Sequence, residues 1–142
     1  KLDMTQRELL VSTVKFYTSE NTAVENGVCV YMSTPTSPGC AIGRYLTPEV
    51  QQAFHKTQKE DAIGSITSFY VDSEFKELLP DWMQKMDIRF LQSVQYLHDT
   101  PEYWDKSGIT LTGKAGVNAI CSRFTLDYLT EEEFKHENQS TN

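Results

Sequence analysis

The sequence is short of cysteine, of basic residues and of long apolar runs, and each shortage excludes something. Cys29, Cys40 and Cys121 make a small, odd-numbered set. Small secreted domains held by disulfides carry denser, even-numbered sets, so three reduced thiols and a cytoplasmic setting are expected. No apolar run approaches the roughly 20 residues that span a bilayer, and the first residues hold no signal-peptide core. No membrane partner is therefore expected. Acidic residues outnumber basic ones by 20 to 13, giving a formal charge of −7 with no Lys/Arg-dense stretch. An acidic surface repels phosphate backbones, which argues against nucleic acid as a partner. Metal-ligand spacings are missing too. The chain has no C-x-x-C or H-E-x-x-H pair, His55 lies on a polar stretch, and His136 lies near the end. Gly39-x-x-x-Gly43 lacks the Lys-Ser/Thr of a phosphate loop. No metal and no cofactor are expected.

What is present suits one domain over 1–142. With 39% hydrophobic and 11% aromatic residues, the chain can build a core, which separates it from disordered segments. Lys1-Leu2-Asp3 ahead of Met4 reads as a cloning remnant, and residues from about Thr130 onward read as a polar, frayed tail. The expected fold is helix-rich α+β, about five helices packed on a small β-hairpin. Thr5 and Glu8 form a T-x-x-E capping box ahead of a helix over Gln6–Ser19, with Leu9, Leu10, Val14 and Tyr17 among its apolar positions. Asn26-Gly27 is a turn signal. Val28–Met32 and Cys40–Ile42 are candidate arms of a hairpin, with Cys40 as the opening of a short helix as the alternative. Thr47-Pro48-Glu49 starts a helix running to about Gln58, and Asp72 or Ser73 caps another that stops before Pro80. Asp87 starts the central helix, whose face carries Ile88, Leu91, Val94, Gln95 and His98. Thr112 caps a last helix to about Phe124, with Ala115, Ala119, Ile120 and Phe124 facing inward.

Two places carry candidate chemistry. Cys40, after the Pro38-Gly39 turn, would feel the positive end of a helix dipole if it opens a helix, and that lowers a thiol pKa. The plainer reading makes Cys40 a small packing residue. His98 shares a face with Leu91 and Gln95, so its ring points inward, as a general base, a metal ligand or a satisfied core histidine. Asp99, about 100° away around a helix, is poorly placed to orient that ring. Cys40, His98 and Asp99 together would make a nucleophile–base–acid set. Their chain order resembles that of papain-like cysteine hydrolases, although that family's motif around the cysteine is absent and its histidine lies on a strand.

A second resemblance rests on Gly27-Val28-Cys29-Val30-Tyr31, on Gly39-Cys40-Ala41-Ile42-Gly43-Arg44-Tyr45-Leu46, and on Phe90–Asp99. These segments resemble a group of small, mostly uncharacterised proteins from bacteria and their phages. Members carry C-A-[I/V]-G after a short β element and an L-Q-x-x-H-D-like segment in a later helix. The resemblance implies the cytoplasm of a bacterial or phage-infected cell and brings no activity with it. The expected function is a non-enzymatic protein-binding protein, an accessory factor acting on a host protein. Tyr70, Trp82, Tyr103 and Trp104 are its candidate anchors, since interfaces favour Trp and Tyr. The alternative is a cysteine-dependent hydrolase or transferase using Cys40 and His98.

Overall fold

The computed structural model describes residues 4–21, 24–25, 28–29, 41, 45, 47–49, 77 and 79–136. Over these the protein is helix-rich α+β, as its periodicity predicts. The first helix, α1 (Gln6–Phe16), begins at the expected capping box: Glu8 N–H donates to Thr5 Oγ1 (3.1 Å), and Thr5 N–H donates to Glu8 Oε1 (2.8 Å). It stops at Phe16 rather than at Ser19. Tyr17 takes an extended backbone there and puts its ring, fully buried, edge-on against His98 at 4.7 Å between centroids.

The first described hairpin pairs Val28–Cys29 with residues ahead of it in the chain. Strand β1 (Val24–Glu25) pairs antiparallel with β2 (Val28–Cys29), in the register Val24↔Cys29 and Glu25↔Val28. Val28–Cys29 is thus the returning arm of this hairpin, with two residues between it and Glu25, where the sequence places its Asn-Gly turn signal. The expected second arm at Cys40–Ile42 lies outside the described residues, apart from the buried Ala41. Pro48 and Glu49 are helical, as the Thr47 start predicts; the rest of that helix, and the one expected from Asp72 or Ser73, lie outside as well. A short helix not read from the sequence, α2 (Asp81–Gln84), follows Pro80.

The central helix is α3 (Ile88–Asp99). Asp87 caps it by accepting from Arg89 N–H (2.8 Å), and it buries Phe90, Leu91, Val94, Gln95, Leu97 and His98, the expected face except that Ile88 is only half-buried. A 3-10 turn at Pro101–Tyr103 leads into a second hairpin, β3 (Trp104–Asp105) with β4 (Gly108–Ile109). Asp105 Oδ1 accepts from the Ser107 amide at 2.8 Å, and Gly108 sits at φ +127°, a backbone that side chains rarely adopt.

Helix α4 (Leu111–Arg123) is capped by Thr110, not Thr112; Thr110 Oγ1 accepts from Gly113 N–H (3.1 Å). Starting from that cap, the inward stripe is Gly113, Val117, Ile120 and Cys121, and Ala115 and Ala119 face solvent rather than the core. Gly113 lets the helix approach Ile109 and the Tyr103 carbonyl so closely that a Cβ would collide with both.

The segment expected to fray from Thr130 is instead packed through His136. A second capping box, Thr130 with Glu133, starts α5 (Glu131–Phe134), and Phe134 is buried. Arg7 on α1 grips Glu133 bidentately at 2.7 and 3.0 Å while donating to the Asp127 and Tyr128 carbonyls. The hydrogen bond from Arg7 is the largest influence on Glu133 and lowers its carboxyl to about 2. The core lies between α1, α3 and α4, with Leu9, Leu10, Phe90, Leu91, Val94 and Val117 fully buried. Among the described residues no helix is long and apolar enough to cross a membrane.

Candidate functional site

Two features of the described residues offer chemistry. One is a groove between α3 and α4; the other is a buried pair at the end of α3.

The groove has about 450 Å³ of free volume. One wall comes from α3 through Arg89, Gln92, Ser93 and Tyr96, with Leu97 deeper; the other comes from α4 through Gly116, Ala119, Ile120 and Arg123. Each set follows the i, i+3, i+4, i+7 spacing that puts side chains on one helix face. Arg89 starts α3 and Arg123 ends α4, yet Arg123 Nη1 donates to Ser93 Oγ at 3.2 Å. The two helices therefore run antiparallel, which places Arg89 and Arg123 toward the same end of the groove. Tyr103 shapes the other end. Its ring sits over Gly116, where an added Cβ would meet ring atoms at 3.0–3.2 Å. Without a side chain at 116 the ring lies low, and the floor is apolar.

The groove is thus cationic at one end and aromatic at the other. Arg89 donates through Nε (3.2 Å) and Nη2 (2.9 Å) to Asp87. That contact lowers the Asp87 carboxyl below its ordinary value and leaves Arg89 Nη1 without a hydrogen-bond partner among the described residues. Among the described residues Arg123 has no carboxylate partner, and no carboxylate lines the groove. Tyr96 stands on the rim, 66% exposed. Gaps of this kind take ligands or partner side chains with a few fixed polar contacts.

The second feature is His98 with Asp99. Nδ1 of the imidazole lies 2.6 Å from Asp99 Oδ1; the histidine side chain is fully buried and the aspartate partly exposed. This corrects the expectation that Asp99 is poorly placed to orient His98 unless the helix unwinds there; the contact forms with Asp99 still the last residue of α3. Nδ1 is only two bonds from Cβ, so it stays near the backbone, where the short Asp side chain bridges the angle between neighbours. Such a pair fixes a ring the way an orienting acid fixes a catalytic base. It equally satisfies a histidine in a core.

The expected site residues divide among these places. Cys40 and Tyr70 lie outside the described residues. Trp82 and Trp104 are buried, 6% and 5% exposed, and do not present themselves as surface anchors. Trp104 fixes its indole by donating to the Leu97 carbonyl at 2.9 Å, and Trp82 packs edge-on against Tyr45. Of the four aromatics, Tyr103 alone reaches the groove among the described residues. Arg89, Tyr96 and Arg123 were not singled out from the sequence. The usable signal was a second stripe on α3, with an aromatic at 96 opposite the buried face. Among the described residues no cluster of three metal-ligating side chains occurs. The chain matches no protein-family model, no curated protein and no solved structure.

Proposed function

We propose that the protein is a non-enzymatic binding module of the bacterial or phage-infected cytoplasm, and that the α3–α4 groove is its contact surface for a host protein. One observation carries the reading. An apolar floor is flanked by two of the chain's four arginines in a protein of charge −7. Interfaces favour Tyr and Arg around a desolvated centre, and Tyr96, Tyr103, Arg89 and Arg123 supply that pattern.

The test is quantitative capture from a bacterial cytosolic lysate. Ala119 is exposed, so Ala119→Trp fills the groove without entering the core. Wild type, Cys40→Ala and a Leu111→Ala control should retain the same partner, and Ala119→Trp should lose it. A partner that survives Ala119→Trp contradicts the assignment.

The 2.6 Å contact of His98 with Asp99 favours a second reading, a cysteine-dependent hydrolase or transferase with Cys40 as nucleophile. Its test is alkylation of Cys40 against pH, with Cys29→Ser and Cys121→Ser in the background. A thiolate titrating well below the usual value of about 8.5, moved upward by His98→Ala, would establish that reading in place of the first.

A further inference from the structure

We infer that the occupant of the groove is an acidic peptide segment, one that carries a carboxylate side chain and an aromatic or long aliphatic side chain about 10 Å apart, a spacing set by the rise along α4. The inference rests on the groove being the contact surface and adds what it selects.

The spacing comes from the two ends. The cationic end is fixed by Arg123 and Ser93, and the apolar end by Tyr103 over Gly116. Residues 116 and 123 are seven apart on α4, about 10 Å at 1.5 Å per residue. A helical ligand meets both ends with side chains two turns apart, and an extended one with residues about three apart, at roughly 3.3 Å each.

Charge sets the sign. Among the described residues no acid lines the groove and Arg123 has no acidic partner. A carboxylate there gains a planar, bidentate partner, whereas a basic segment would bring like charges together. A peptide also fits better than an enclosed small molecule. Small-molecule sites bury most of their ligand, but here the rim stands out in solvent, with the Arg89 side chain 77% exposed and Tyr96 66% exposed. A chain laid along the groove can cover both.

The experiment is selection of a displayed library of random twelve-residue peptides on the immobilised full chain, followed by anisotropy measurements on the enriched, fluorescein-labelled peptides. Enriched sequences should carry Asp or Glu three or seven positions from Phe, Trp, Leu or Met. Their affinity should fall about tenfold or more with Arg123→Glu, fall likewise with Ala119→Trp, and weaken as salt rises. Tyr128→Ala, an exposed aromatic outside the groove, should leave it unchanged. Peptides sensitive to Ala119→Trp but lacking acidic residues would overturn this inference and leave the groove as contact surface. Peptides insensitive to both groove variants would overturn both. A selection that enriches nothing would overturn this inference alone, with lysate capture deciding the groove.

Discussion

Leu91 faces the centre of the core from α3 and is fully buried. Truncation to Ala removes apolar contact and leaves a cavity that its neighbours fill only in part. Urea denaturation of Leu91→Ala should show a loss of about 2–5 kcal/mol; a loss below about 1 kcal/mol would place Leu91 outside the core. Glu133 gives a pH dependence whose sign follows from its shift. Its carboxyl falls from the ordinary 4.5 to about 2 in the folded protein, chiefly through the Arg7 hydrogen bond. A folded value below the unfolded one means the stabilisation is complete above about 4.5 and is lost as pH falls through about 2. In acid titrations of stability, Glu133→Gln should lose stability near neutrality and show a shallower decline across that window. An unchanged acid limb would mean that the Arg7–Glu133 contact contributes nothing.

Among the elements, the ones set by local chemistry were readable from sequence. Thr5-x-x-Glu8 announces α1, and Asp87 with the apolar spacing of Leu91, Val94 and His98 announces α3. The elements missed are short ones in polar or turn-rich segments, one fastened by a partner distant in the chain, and a helix start that depends on a choice between equivalent neighbours. Residues 130–136 carry the same local T-x-x-E signal as α1, in Thr130 and Glu133, inside a polar segment, and Arg7, far away in sequence, holds the resulting α5 in place through Glu133. The β3–β4 hairpin rests on Asp105 bonding Ser107 and on Gly108 at positive φ, a tight turn between short strands. At α4 both Thr110 and Thr112 have the chemistry of a cap, and the choice shifts the inward stripe. Thermal or urea melts of two variants separate them. Thr110→Ala should cost about 1 kcal/mol, and Thr112→Ala less than about 0.5 kcal/mol. A larger effect at Thr112 would contradict the observed helix start. The groove could not be read from one segment at all. Its walls are two stripes, 89–96 and 116–123, each resembling an ordinary solvated face until the helices lie antiparallel.

For the whole molecule, charge and shape give one account. With a net charge of −7, the chain as a whole disfavours acidic partners, and the proposed exception is the groove end lined by Arg89 and Arg123. Orientation is then set by electrostatics, and affinity by the apolar floor. Two exposed tyrosines make this directly measurable: Tyr96 on the groove rim at 66% exposure and Tyr128, near α5, at 58%. Their similar exposure gives the free protein similar reactivity toward hydroxyl radicals at both sites. Radical footprinting of the complex captured from lysate, read by mass spectrometry, should show Tyr96 strongly protected and Tyr128 unchanged. Protection of Tyr128 with Tyr96 as reactive as in the free protein would show that the partner docks elsewhere and that the groove is not the functional surface.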